Sequence, residues 1–149
     1  MNKKFIVIPI VTVTIIFLIG TIYEMNSTDN SNIEKSRIIF HITLADPNLY
    51  SNGVYTNTFT VNKGEYLLRF VPNGSSPENL SILLQGTNFD FKEDYKLKST
   101  LHQTGISEYF TWEYIGQKTI EISESQEIRI IVNPNGNIMG SVSVDIIEN

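Results

Sequence analysis

"YTNTFTVNKGEYLLRFVPNGSSPENLSILL", residues 55–84, is the stretch that decides the fold. Its apolar residues recur at every second position. Tyr55, Phe59 and Val61 share one side, with threonines opposite and Asn57 as the weak point. Tyr66, Leu68 and Phe70 repeat the pattern, and so do Leu80, Ile82 and Leu84. A period of two is the signature of half-buried strands, because successive side chains of a strand point to opposite faces. "NKG", 62–64, predicts a three-residue hairpin with Gly64 at positive φ. "PNGSSPEN" reads as a loop.

The period holds in both directions from this stretch. "RIIFHITL" puts Ile38, Phe40, Ile42 and Leu44 on one face, and "DPN" and "SNG" then mark a loop. Downstream, "KTIEIS" and "QEIRIIV" alternate, and "NPNGN", 133–137, is a tight turn with Gly136 in the left-handed position. "IMGSVSVDII" aligns Val142, Val144 and Ile146, and Gly140 marks a bulge or a close backbone approach. The middle is weaker: a strand is expected near Tyr95 to Leu101, with the charged "DFKED" before it as a loop. Eight or nine short strands result, with turn signals about every ten residues and no long helix past Arg37. The expected fold is all-β, an antiparallel β-sandwich of jelly-roll or immunoglobulin-like type, preceded by a single N-terminal transmembrane helix. The Cys–Trp–Cys spacing of true immunoglobulin domains is absent.

"EYFTWEY", 108–114, concentrates aromatic residues. As a strand it places Phe110, Trp112 and Tyr114 on one face, alternating with Thr111 and Glu113. Those two suit solvent, so the three rings are expected inside the core. A sugar platform would use the same residue types turned outward.

The N-terminus is of another kind. Lys3 and Lys4 precede "FIVIPIVTVTIIFLIGTIY", Phe5–Tyr23, 19 residues without a charge. As a helix this reaches about 28 Å, close to the hydrocarbon thickness of a bilayer. It reads as a retained membrane anchor. A cleaved secretory signal is the competing reading, but residues 20–28 lack a small-x-small cleavage pattern. The lysines place the N-terminus in the cytoplasm and the remainder outside. Residues 1–23 are thus the anchor or signal, 24–36 ("EMNSTDNSNIEKS") a polar linker, and 37–149 the extracytoplasmic domain. An exported domain without any cysteine points to a prokaryotic cell envelope, since small secreted eukaryotic domains lean on disulfides. Beyond Tyr23 there are nine Lys and Arg against sixteen Asp and Glu, a formal −7. That balance argues against nucleic acid as a partner.

No catalytic residue is expected. There is no G-x-S-x-G, and His41 and His102 are the only histidines, too few for a zinc or copper site without cysteine. His41 falls on the polar face of the first strand, and His102 in a loop or at a strand end. No cofactor is expected, with one reservation: Asp90, Glu93 and Asp94 are calcium candidates, since hard cations take clustered carboxylates. Asn26, Asn73 and Asn79 begin Asn-x-Ser/Thr glycosylation sequons.

Residues 55–84 resemble a recurrent unit of secreted β-sandwiches. An aromatic-x-V strand, a glycine turn and a "Y-x-x-x-F" return strand are shared with pre-peptidase C-terminal domains and the lumenal GOLD domains. The likeness covers about thirty residues. It implies a binding or accessory module and transfers no functional residue. The expectation is a non-catalytic, membrane-anchored binding module whose partners are the membrane, through residues 5–23, and an envelope protein or glycan. The alternatives are a carbohydrate-binding module, using Tyr50, Tyr55 or Tyr109, and an accessory subunit of a membrane complex or surface appendage.

Overall fold

The computed structural model describes residues 37–149. The candidate span Phe5–Tyr23, the linker 24–36 and the sequon at Asn26 lie outside the described residues. Among the described residues, no helix is long and apolar enough to cross a membrane.

The alternating stretches become strands β1 (Ile38–Leu44), β2 (Tyr55–Val61), β3 (Gly64–Pro72), β4 (Asn79–Gln85) and β5 (Asp90–Gln103). They continue as β6 (Glu108–Ile115), β7 (Thr119–Ile122), β8 (Gln126–Asn133) and β9 (Val142–Glu148). Two antiparallel sheets result, a four-stranded one in the order β1-β9-β3-β7 and a five-stranded one in the order β2-β8-β4-β5-β6. The described domain is a β-sandwich, and the period of two is that of its half-buried strands.

Pairing is nested. β1 lies beside β9, β2 beside β8, β3 beside β7 and β4 beside β5, so the chain behaves as one long hairpin rolled across two layers. β6 alone has no counterpart in this nesting. It flanks β5 at the margin of the larger sheet.

The core lies between the sheets and consists of the inward side chains. Leu44, Leu68, Leu80, Ile82, Ile128, Ile130, Val132 and Val144 are fully buried. Aromatic rings bridge the layers: Phe40 meets Phe59 at 4.9 Å between centroids, and Phe70 meets Tyr95 at 4.6 Å. Each buried aliphatic side chain contributes about 1.5–3 kcal/mol relative to exposure. This core holds the domain without any disulfide.

Two expectations need correction. β2 and β3 do not form a hairpin: they belong to different sheets, and Asn62–Lys63 is a corner between layers. Gly64 opens β3 and is not among the residues at positive φ. The Tyr66 hydroxyl donates to the Asn62 carbonyl at 2.9 Å and closes the corner. Alternation tells which residues face inward but not which neighbour a strand takes, so hairpin and corner look alike in sequence. The second correction concerns "DFKED", which is the first third of β5 and not a loop. Asp90, Lys92 and Asp94 occupy the solvent face, while Phe91 and Tyr95 alternate inward with Glu93 between them at the margin of the core.

Other turns meet expectation. Gly136 has φ 95° and Asn135 has φ 50°, so both central residues of the 134–137 turn are left-handed. Gly140 is a close approach, since a Cβ there would sit 2.5 Å from the Ser75 carbonyl oxygen.

Candidate functional site

β5 is 14 residues long and β6 is 8, whereas β2 and β4, in the same sheet, have 7. The extra length of β5 forms an arm. β5 and β6 pair without interruption from Lys96 with Ile115 to Gln103 with Glu108. The arm ends in a turn, where the Thr104 amide donates to the Ser107 carbonyl at 2.8 Å. The Thr104 hydroxyl caps the same turn by accepting from the Ser107 amide at 3.0 Å.

The aromatic stripe runs along this arm from the core into solvent. Tyr114 is 1% exposed, touches Phe70 and donates its hydroxyl to the Pro77 carbonyl at 2.6 Å. Burial pushes its phenol well above the ordinary range, so it stays a neutral donor. Trp112, two residues on, is half-buried, and its indole lies against Gly74 of the β3–β4 loop. Phe110 is 55% exposed, 6.1 Å from Trp112. The expectation of three core rings therefore holds for Tyr114 and fails for Phe110. The sandwich is narrower than the arm is long, and beyond Trp112 no second layer among the described residues covers the strand. At the tip Ile106 is 99% exposed. Tyr109, on the other face, is half-exposed and stacks on His102 at 4.9 Å between centroids. Exposed Leu101 and Ile115 complete an apolar surface on both faces of the arm. Single exposed apolar residues are ordinary, but a cluster of them on one element marks a contact surface.

Beside Trp112 lies an open groove of about 190 Å³. β3 supplies Arg69 and Phe70, β6 supplies Trp112 and Glu113, and Lys118 closes one end. The groove exists because β7 pairs β3 only from Gly64 to Leu67, leaving Arg69–Pro72 uncovered on that side. An aromatic ring flanked by the Glu113 carboxylate and the Lys118 ammonium is chemically suited to a polar ligand with an apolar face.

A second constellation occupies the outer face of the smaller sheet. His41, Asp145 and Arg69 stand in one cross-strand row on β1, β9 and β3. Asp145 is 2% exposed. Arg69 donates to it from Nε and Nη2 at 2.9 and 2.7 Å, and His41 Nδ1 lies 2.5 Å from its other oxygen. Burial raises the Asp145 pKa, but the His41 and Arg69 hydrogen bonds and charges outweigh it, and the carboxyl titrates below its ordinary value. His41 Nε2 is 3.4 Å from the Thr43 hydroxyl, which contacts Ser143 at 2.8 Å. The order hydroxyl, imidazole, carboxylate resembles a catalytic relay. The hydroxyl, however, lies exposed on a flat sheet, and both oxygens of the carboxylate are engaged. The row is a cross-strand tie that neutralises a buried charge.

The other candidate residues scatter. Asp90 and Asp94 point to one face of β5 and Glu93 to the other, where it accepts from the Gln117 amide at 3.0 Å. The three carboxylates therefore do not converge, and among the described residues no three His, Cys, Asp or Glu form a metal-sized cluster. Tyr55 is core and Tyr50 is half-buried, so neither forms a sugar platform; Tyr109 is exposed. His102 lies within β5 and contacts the Thr111 hydroxyl at 2.8 Å. Asn73 is exposed in the β3–β4 loop, its side-chain oxygen bonded to Ser75, and Asn79 is exposed at the start of β4. Sequence reasoning missed the free end of the arm. Its signal was on the partner strand, where the inward side of β5 passes from apolar residues to a mixture, Leu97, Ser99, Leu101 and Gln103.

Comparison with protein-family models, with curated proteins and with solved structures finds no match to this chain.

Proposed function

We propose that this chain is a membrane-anchored, extracytoplasmic, non-catalytic β-sandwich module of a prokaryotic cell envelope. It binds another envelope component, protein or glycan, through the β5–β6 arm. The observation that carries the reading is the apolar, solvent-exposed end of that arm, Leu101, Ile106, Tyr109 and Phe110, outside the nested body. The charge-free stretch Phe5–Tyr23 behind Lys3 and Lys4 supports the anchor. The nested strand order supports a jelly-roll type of sandwich over an immunoglobulin-like one. The resemblance of residues 55–84 to accessory β-sandwich modules points the same way.

The test uses the full chain in its native membranes. It should resist alkaline extraction, and the domain should be cut by protease added from outside. A photo-crosslinker at position 110 should capture an envelope component that the same group at Thr58 does not. Recovery in the soluble fraction, or equal capture from both positions, would sink the reading.

The groove at Trp112 favours carbohydrate binding as a second reading. Trp112 is the only tryptophan, so its fluorescence reports the groove directly. Titration with envelope oligosaccharides should shift its emission, and Trp112→Ala should abolish binding. An unchanged spectrum at saturating sugar argues against this reading.

A further inference from the structure

We propose that the free edge of β6 pairs with β6 of a second copy of this chain, joining two five-stranded sheets into one. The inference rests on the strand edge alone and is independent of where the protein sits or what else its arm contacts.

Among the described residues β6 has one hydrogen-bonded neighbour, β5. The bond from the Thr104 amide to the Ser107 carbonyl fixes the phase of this ladder. Hydrogen-bonded pairs alternate with non-bonded ones in an antiparallel pair. Tyr109, Thr111, Glu113 and Ile115 therefore bond β5, and the amides and carbonyls of Glu108, Phe110, Trp112 and Tyr114 point outward. Natural sheets blunt such edges with proline, lysine, a bulge or shortness. β7, with four residues, and β1, with an irregularity between Ile38 and Phe40, follow that rule, and the remaining edge, β2, exposes only threonines and an asparagine. β6 has no proline, lysine or bulge, and it exposes Tyr109, Phe110 and Ile115.

The occupant follows from the self-complementarity of the edge. An isologous contact places one patch against itself about a two-fold axis. With the axis at Thr111, Phe110 faces the partner's Trp112 twice over, Tyr109 faces the partner's Glu113, and Thr111 faces itself. Phe110, Trp112 and their counterparts all carry outward main-chain groups, so they form the hydrogen-bonded pairs. Cross-strand aromatic pairs are among the favourable ones, and no like charges stand opposite. An axis at Phe110 would set Trp112 against the partner's Glu108, one at Trp112 would set Phe110 against the partner's Tyr114, whose ring is buried in its own core, and one at Glu113 would oppose two carboxylates. The Thr111 axis also pairs every residue from 108 to 114.

The natural chain has no cysteine, so single substitutions report cleanly. At the axis the two Thr111 Cα atoms form a non-bonded pair about 4.5 Å apart, within disulfide reach. The two Glu113 residues lie about 14 Å apart along the strands. In the full chain, in detergent micelles, mild oxidation should convert Thr111→Cys to a covalent dimer and leave Glu113→Cys monomeric. Unmodified chain should sediment at twice the monomer mass. Phe110→Pro removes an outward amide without touching a bond to β5, so it should abolish both the dimer mass and the Thr111→Cys cross-link while the circular dichroism spectrum is kept. Phe110→Lys should do the same if the proline variant fails to fold. Monomer mass for the unmodified chain, equal cross-linking at positions 111 and 113, or capture of Thr111→Cys only by a different protein would overturn the proposal.

Discussion

The nested body and the appended arm are made of the same kind of strand, yet the same residue types do opposite things in them. Tyr114 and Phe110 share one strand and one face, four residues apart. The first fills the core between two sheets, and the second stands in solvent. What separates them is whether a second layer lies opposite. In the body every inward side chain meets one from the other sheet, and that determines stability. In the arm the same alternation meets no opposing layer among the described residues, and the rings stand exposed. A hydrophobic pattern therefore specifies a face, and the layer arrangement decides whether that face is a core or an interface.

Tyr114 is where the body holds the arm most firmly. Tyr114→Ala removes a buried ring and its bond to Pro77 and should cost about 4 kcal/mol, read by chemical denaturation. If the loss is small, the inner half of the arm is no more part of the core than the tip. A smaller effect is expected at Gly116, which sits at φ 159° where the chain leaves β6. A Cβ there would come 2.6 Å from the Tyr95 ring, so Gly116→Ala should destabilise by about 2 kcal/mol. Next comes the ionic tie on the body's outer face. Asp145→Asn should cost about 1.5 kcal/mol at neutral pH, the scale of lost charged hydrogen bonds. The acid limb sharpens that test. A carboxyl whose folded pKa lies below its unfolded value adds stability that is complete above the ordinary value of 3.8 and is lost as pH falls through the folded one. The melting temperature of the natural protein should drop in that window, and Asp145→Asn should flatten the drop. The smallest effect is expected at the tip: Phe110→Ser should change stability by no more than about 0.5 kcal/mol. A large loss there would show that the distal arm belongs to the core after all.

Much of this architecture could be read from the sequence. The period of two marked every strand of the body except β5, and the turn residues at 51–53 and 133–137 fell where loops occur. Gly140 betrayed its close packing. Pairing was not legible, because alternation is silent about neighbours: Asn62–Lys63 looked like a hairpin and is a corner. The β5 start was hidden because Lys92 and Asp94, charged for solvent, suggested a loop beside Asp90. The row of His41, Arg69 and Asp145 needs three strands to meet in register, and one chain-local window does not contain that. The fading of the aromatic stripe into solvent was half legible, through Ser99 on the facing strand.

The nested order also has a kinetic consequence. β9, made last among the described strands, sits in the middle of its sheet between β1 and β3. Until it emerges from the ribosome, β1 has no partner and β3 has only the short β7, so half the sandwich stays open. Such non-local closure is slow and exposes sticky strands meanwhile. The described domain therefore stays pliable until its last strand has been made.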